Sequence, residues 1–232
     1  MPGTPEAIAK KIESLKAELV GQGRRVQAMT ELAFEACFAK DQAKAKLAID
    51  SDVEIDRIDV AIEKSAVDIL TLACTDGGVM SPHQVRTVLT IVKINNELER
   101  IADVATAIAE QVKHLQPAEN FPQTFRVLTN STIAILHDSV SALETTSPKL
   151  AKSALMSQAT ANMFKQALMR DLHQQLQSGK LTNLPLASAL HDVATFAVAI
   201  TDHCTNICEQ VLYVATGTIM RHMEGRWEEV NV

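Results

Sequence analysis

Residues 103–112 read DVATAIAEQV, and residues 202–211 read DHCTNICEQV. Six of the ten positions are identical, at a constant offset of 99 residues. Chance agreement at that level is improbable, so the two segments indicate a duplicated unit. Around the first copy, apolar residues recur every three to four positions, which is the period of a helix that packs on one side. The chain is therefore predicted to repeat a unit that ends in a long amphipathic helix.

Proline, glycine and capping residues divide the rest of the chain into further helices. Thr4-Pro5, Ser81-Pro82 and Ser147-Pro148 each combine an N-cap residue with Pro at the first helical position. Helix ends are predicted at residues 76–78, 116–117 and 178–179, which contain Gly or Pro. The predicted helices begin near residues 4, 42, 81, 121, 148 and 185, and the last five end near residues 74, 114, 145, 177 and 216.

Three helices, a Pro-bearing linker and three more helices make an all-α chain of two tandem three-helix bundles. The first repeat is predicted to span residues 5–116, and the second repeat residues 121–218. The tail, residues 219–232, has low periodicity and is expected to form a short helix or a frayed end.

Composition narrows the functional classes. Hydrophobic residues make up 47% of the chain and aromatic residues only 3%, a mixture that favours helices over sheets. The formal net charge is −6 without a basic cluster, so nucleic acid is not expected as a partner. The sequence shows no signal-peptide pattern and no apolar run long enough to span a bilayer. We therefore expect a cytoplasmic protein that does not insert into a membrane.

Acidic side chains form stripes on the second and third predicted helices. Spacings of three and four residues place the acids of each stripe on one helical face, and the third-helix acids lie opposite its apolar stripe. Like charges one turn apart repel by a few tenths of a kcal/mol per pair. The stripes contain Asp52, Asp56, Asp59 and Glu63 on the second helix and Glu99, Asp103 and Glu110 on the third.

Two interpretations of these stripes remain open on spacing alone. Carboxylates one turn apart can share a hard cation, which prefers oxygen ligands and would remove the repulsion. A solvated acidic face is the commoner meaning of such a pattern. The stripes contain neither His nor Cys, so they do not indicate a tetrahedral zinc site.

Three segments of the chain resemble the signature segments of the PhoU family. Residues 96–110 read NELERIADVATAIAE, residues 201–209 read TDHCTNICE, and residues 50–58 read DSDVEIDRI. The resemblance extends from about Ile8 to Gly217. It implies a six-helix architecture of two three-helix repeats that often forms a homodimer. It also implies a regulatory adaptor, and not an enzyme, that negatively modulates a phosphate ABC transporter and its sensor histidine kinase.

The same resemblance implies a multinuclear metal site on the surface of the first repeat. The ions would be divalent or trivalent, with Mg, Mn, Fe and Zn as candidates. The partners would be the ATPase subunit of the transporter and the kinase. The implied ligands are Asp52, Asp56, Glu99 and Asp103, and weaker candidates are Asp59, Glu110, Asp202 and Glu209.

The second repeat departs from the family pattern. Val198 stands where the first repeat has Glu99, and Gln158 and Asn162 replace the two carboxylates on the fifth helix. Neutral amides are weak ligands for a cation that needs charge compensation. The metal site of the second repeat is therefore predicted to be lost or much weakened.

Three alternatives accompany this interpretation. A metal-binding or metal-storage bundle without a transporter partner would use the same acids. A di-iron carboxylate enzyme would need Glu-x-x-His pairs that face the core, and the sequence contains none. His203, Cys204 and Cys208 lie within about a turn of each other on the sixth helix and could form a soft-metal or redox site, although small core residues are the commoner meaning.

Overall fold

A computed structural model shows six α-helices followed by a two-stranded antiparallel hairpin in the residues it describes, which are 4–75, 79–115, 120–223 and 226–230. The six helices confirm the predicted all-α class. Their bounds are α1 Pro5–Ala39, α2 Gln42–Thr75, α3 Pro82–Gln111, α4 Gln123–Thr145, α5 Pro148–Gln177 and α6 Leu184–Thr216, with a short 3₁₀ helix at Val112–His114 and strands β1 Ile219–Met223 and β2 Arg226–Val230.

The predicted capping residues begin their helices. Thr4 and Ser147 each accept a hydrogen bond from a backbone N–H of the first turn, and Pro follows each of them. Ser81 forms a complete capping box with Gln84. Asn183 caps α6 by accepting a hydrogen bond on its side-chain oxygen from the Leu186 backbone N–H. The predicted helix ends at residues 76–78 and 116–117 fall wholly or largely outside the described residues.

Each repeat packs its three helices around a shared apolar core, and the two cores join. α3 packs as extensively on α6 as on the helices of its own repeat, and α1 also contacts α4. Leu98 and Ile101 of α3 and Ile207 of α6 are completely buried in one continuous cluster. The helices that are equivalent by sequence therefore meet each other across the junction of the repeats.

A polar link crosses the same junction. Glu97 of α3 accepts hydrogen bonds on Oε2 from His203 Nδ1 at 2.7 Å and from Asn206 Nδ2 at 2.9 Å, both on α6. Burial raises the pKa of Glu97, but the hydrogen bonds and the charge of His203 outweigh it and leave the pKa below its usual value. An ionised carboxylate therefore ties the two repeats together.

The expectation of a short helix or frayed end at the C-terminus was wrong. β1 pairs with β2 from Ile219 opposite Val230 to Met223 opposite Arg226. Pairing of the two segments satisfies backbone groups that a frayed end would leave to water.

α6 is long and apolar enough, by length and composition, to cross a membrane. Half of its apolar window is buried inside the protein, where the helix packs against α3, α4 and α5. A core helix of a helical bundle has the same composition, so its apolar character follows from its central position.

Candidate metal centre

The structure brings the acids of α2 and α3 together on one surface, which we call the first-repeat acidic face. It consists of Asp52, Asp56 and Asp59 on α2 and Glu99 and Asp103 on α3. Across the two helices, the charge of Asp103 raises the pKa of Asp52, and the charges of Asp59 and Asp56 raise that of Glu99. All four residues implied as metal ligands by the family resemblance therefore belong to a single surface.

Asp52 is the most constrained acid of the face. Burial raises its pKa, and the charges of Asp56 and Asp103 raise it further. The Thr106 hydroxyl lies near enough to lower the pKa in part. Their contact falls short of hydrogen-bond geometry, and among the described residues neither Asp52 Oδ1 nor Thr106 Oγ1 has a hydrogen-bond partner, although both atoms are buried. A buried carboxylate oxygen without a partner is costly unless a cation or water satisfies it.

Glu99 occupies the middle of the face. Burial raises its pKa, as do the charges of Asp103, Asp59 and Asp56, and Asp103 also contacts it by a side-chain hydrogen bond. Two carboxylates can share a hydrogen bond only through a proton, so their proximity favours the protonated form of Glu99. A cation between them would remove the same repulsion without a proton.

Asp59 and Glu110 differ in their relation to this face. Burial and the charges of Glu63 and Asp56 raise the pKa of Asp59, and its Oδ1 accepts a hydrogen bond of 2.6 Å from Asn95 Nδ2. Glu110 is exposed and lies seven residues beyond Asp103 on α3, about 10 Å along the helix. Asp59 is therefore available beside the implied ligands, whereas Glu110 is remote from them.

Two basic residues of α2 near the face are paired with other acids. Arg57 forms a salt bridge with Glu54, and Lys46 forms one with Asp50, both on α2 and outside the face. Arg100, which follows Glu99 in sequence, acts electrostatically on Glu97. Within the described part of the chain, no Lys or Arg lowers the raised pKa of Asp52, Asp59 or Glu99, so the repulsion at these three acids is left uncompensated.

This donor set fits hard metal ions. All of its ligands are carboxylate oxygens, which suit Mg²⁺ or Mn²⁺ better than a tetrahedral sulfur or nitrogen site would. In the described parts of the chain, no three His, Cys, Asp or Glu side chains stand ready at ligand spacing. Binding would therefore require the acidic side chains to rearrange, with water completing the coordination. The unpartnered Asp52 Oδ1 is the atom that gains most from such a rearrangement.

The equivalent surface of the second repeat is arranged differently. Gln158 Nε2 donates a hydrogen bond of 2.5 Å to Asp202 Oδ1, so an amide satisfies the acid that a cation would otherwise satisfy. Val198 is largely buried, and Asn162 is half-buried. Glu209 is 9% exposed and lies in the core beside Cys208, away from Asp202. The structure therefore does not gather the two weaker candidates of this repeat into one site.

The sixth-helix thiols belong to the core. Cys204 and Cys208 are completely buried, and burial raises the pKa of both thiols, that of Cys208 to about 12. A protonated thiol is neither a nucleophile nor a metal ligand. His203 faces Glu97 instead. These contacts favour packing over a soft-metal or redox site.

Sequence reasoning assigned no role to Glu97. Its contacts with α6 join residues more than 100 positions apart, and helical periodicity carries no information about such pairs. The one sequence signal for this link is a difference between the two copies of the repeat. The polar residues His203 and Asn206 stand where the first copy has the apolar residues Val104 and Ala107.

Comparisons with known proteins agree with this architecture. The family model described as the PhoU domain matches residues 19–112 and again residues 125–211. The phosphate-specific transport system accessory protein PhoU of Escherichia coli is 26% identical over 217 residues, which cover 93% of this chain and 88% of that protein. The phosphate-specific transport system accessory protein PhoU homolog 1 of Thermotoga maritima is 25% identical over 194 residues, which cover 82% of this chain and 80% of that protein.

Solved structures share the fold. The crystal structure of the phosphate transport system regulatory protein PhoU from Streptococcus pneumoniae superimposes with a TM-score of 0.83 at 21% identity, covering 91% of this chain and 98% of that one. PhoU from Pseudomonas aeruginosa gives a TM-score of 0.81 at 20% identity, covering 90% and 99%.

Proposed function

The chain belongs to the PhoU domain family, and on that premise we propose that it is a metal-dependent adaptor that restrains phosphate uptake and phosphate-starvation signalling. Family membership gives it a role in the regulation of phosphate transport and an association with the transport machinery. Its specific partners in this proposal are the ATPase subunit of a phosphate ABC transporter and a sensor histidine kinase, both of which it modulates negatively.

The observation that carries the proposal is the uncompensated charge of the first-repeat acidic face. Five carboxylates lie on one surface, three of them with pKa values raised by burial and by their neighbours. Such a face lowers the stability of the folded protein, because its like charges repel each other. Solubility alone does not require it, since acids paired with Lys or Arg would keep the protein equally soluble. A surface that binds cations accounts for the absence of pairing.

A bound cation would supply positive charge to a surface that otherwise repels acidic partners. Asp52, Asp56, Glu99 and Asp103 would hold divalent or trivalent ions, with Asp59 beside them. The all-oxygen donor set favours Mg²⁺ or Mn²⁺ among the candidates Mg, Mn, Fe and Zn. We further propose that the protein works in the cytoplasm as a homodimer.

The experiment that tests this function is retention of the transporter ATPase subunit on the immobilised protein, with and without Mn²⁺. Asp103→Asn removes one charge from the first-repeat acidic face. Asp202→Asn is the matched control, because Asp202 is the equivalent exposed acid of the second repeat. The proposal expects Mn²⁺-dependent retention by the wild type and by Asp202→Asn, and weakened retention by Asp103→Asn.

Absence of retention under every condition would refute the adaptor function for this chain. Metal storage without a transporter partner would then be the better account, since the same face would bind ions with no need of a second protein. That alternative expects several ions bound per chain and no ATPase in the retained fraction.

We do not propose catalysis. The family is one of regulatory accessory proteins. Three of the four cysteines, Cys37, Cys204 and Cys208, are buried with raised pKa values, and the acids of the proposed metal site lie on the surface of the bundle. A di-iron carboxylate enzyme places its ligands inside the bundle. Metal-dependent oxidase turnover by the purified protein would contradict this assignment.

A further inference from the structure

A cleft lies between the two repeats, away from the first-repeat acidic face. Its volume is about 460 Å³, and its walls come from α1 and α3 of the first repeat and from the C-terminal ends of α4 and α6 of the second. Small-molecule sites typically measure about 300–1,000 Å³. The residues that line the cleft include none of the first-repeat acidic face, so the two sites are separate.

The floor of the cleft is apolar. Leu19 of α1, Ile94 of α3 and Leu143 of α4 line it and are at most 6% exposed. On α1 the lining runs from Ala9 to Leu19, a length of about 15 Å at the rise of an α-helix. The cleft is therefore elongated, and apolar contacts would favour a ligand with a chain-like hydrophobic body.

One wall of the cleft carries a positive charge. Lys16 is half-buried, and its Nζ donates a hydrogen bond of 2.7 Å to the hydroxyl of Thr146. Among the described residues this ammonium forms no salt bridge, so a neutral hydroxyl is its direct partner. A partly desolvated ammonium beside an apolar floor favours an anionic ligand group.

The outer end of the cleft is polar. Ser81, His83 and Gln84 of α3 line it there, together with Glu13 of α1. The cleft is thus apolar in depth and polar at its rim, and Lys16 follows Glu13 by about one helical turn on the α1 wall. This is the polarity of a single-chain amphiphile rather than that of a uniformly polar metabolite.

We propose that the cleft binds a free medium-chain alkyl carboxylate. The alkyl chain would lie along Leu19, Ile94 and Leu143, and the carboxylate would take the place of the Thr146 hydroxyl at Lys16 Nζ. A partner helix is a poorer occupant, because a helix with its side chains is about 10 Å across, so 460 Å³ holds little more than one turn.

Isothermal titration calorimetry of the full chain with hexanoate, octanoate and decanoate tests the proposal. Binding should be saturable with one ligand per chain. Affinity should rise about fourfold for each added methylene, as expected when the chain is buried. Octanol, which has the same chain length as octanoate but no charge, should bind at least about tenfold more weakly.

Two variants with matched controls locate the site. Lys16→Met should reduce octanoate affinity to that of octanol, whereas Lys11→Met, an exposed Lys on the same helix, should leave it unchanged. Thr90→Leu adds volume at a buried lining position and should abolish binding. Thr160→Leu adds the same volume at an exposed position on α5, outside the cleft, and should leave binding unchanged.

Absence of saturable binding by decanoate, or equal affinity in Thr90→Leu and the wild type, would overturn the proposal. If Thr90→Leu loses its helical circular dichroism, Ala9→Leu, at a half-buried lining position on α1, takes its place with the same expected loss. Affinity that is independent of chain length would also contradict burial of the alkyl chain in this cleft.

Discussion

The two repeats differ in how the acids on their surfaces are hydrogen-bonded. In the first repeat, Asp52 and Asp103 face each other across α2 and α3, and the charge of Asp103 raises the pKa of the half-buried Asp52. In the second repeat, Gln158 stands opposite Asp202 and donates a hydrogen bond to it. Among the described residues, a side-chain amide of the same repeat satisfies Asp202, whereas Asp52 Oδ1 has no hydrogen-bond partner.

The interiors of the repeats differ much less than these surfaces. Ile108 and Ile207 are identical and completely buried, and Ala105 is matched by the small buried residue Cys204. A close-packed core is sensitive to the change of a single methylene, whereas an exposed acid can become an amide at little cost in stability. The two copies therefore match at these core positions, while they differ in the charge of their surfaces, where Val198 of the second copy stands in place of Glu99.

The largest expected effect is metal-dependent stabilisation of the first repeat. Mn²⁺ at one hundred times its dissociation constant should raise the free energy of unfolding by about 2.7 kcal/mol. That corresponds to roughly 5–10 °C in Tm for a protein of this size. The double variant Asp52→Asn and Asp103→Asn should lose the effect in differential scanning calorimetry. Equal loss in Asp202→Asn would remove the distinction between the repeats.

The next largest effect concerns the link between the repeats. Glu97→Gln replaces the ionised acceptor of His203 and Asn206, and should lower the free energy of unfolding by about 1–3 kcal/mol in urea titrations at pH 7. The folded pKa of Glu97 is depressed, so its contribution is present above the unfolded pKa and is lost as pH falls through the folded pKa. The difference between wild type and variant should shrink below about pH 4.

Glu99→Gln serves as the control for this link. It removes an acid two residues away whose pKa is raised, so it should not destabilise the metal-free protein. Similar destabilisation by both variants would show that the loss reflects general sensitivity of α3 to substitution and not the bond between the repeats.

A smaller effect of opposite sign is expected for Asp52→Asn with all metal chelated. The raised pKa of Asp52 means that its ionised form costs stability above the folded pKa, and that the cost vanishes once both states are protonated below the unfolded pKa. The variant should gain a few tenths of a kcal/mol at neutral pH, because it removes the burial of a charge and the repulsion from Asp56 and Asp103, and should lose that gain below about pH 4. Guanidinium titrations at the two pH values measure it. A gain that persists at low pH would exclude the electrostatic cause.

The smallest effect should come from Gln158→Ala in the second repeat. The hydrogen bond to Asp202 is exposed to water, so its loss should change the free energy of unfolding by less than about 0.5 kcal/mol. Gln166→Ala, at an exposed position on the same helix, is the matched control. A loss of several kcal/mol specific to Gln158 would mean that the amide supports the packing of α5 on α6.

Local signals in the sequence predicted the helices well. Ser81-Pro82 and Ser147-Pro148 determine helix starts through backbone geometry that needs no tertiary contact, and both helices begin as predicted. The hairpin at Ile219–Met223 and Arg226–Val230 was missed because little in the tail except Gly225 distinguishes a strand from a frayed end.

Relations between helices were less accessible from the sequence. Spacing alone placed Asp52 and Asp56 on one face, but the proximity of Asp103 across the helix pair was implied only by the family resemblance, and the structure shows it. The Glu97 link and the cleft at Lys16 depend on the packing of one repeat against the other, which single-helix periodicity does not encode.

The central claim is that metal ions bind the first repeat and not the second. The most direct test is anomalous diffraction at the manganese absorption edge from crystals of the full chain grown with Mn²⁺. The account predicts anomalous peaks within coordination distance of Asp52, Asp56, Glu99 and Asp103, and none beside Gln158 and Asp202. Peaks at the second-repeat surface, or none at the first-repeat acidic face, would contradict it.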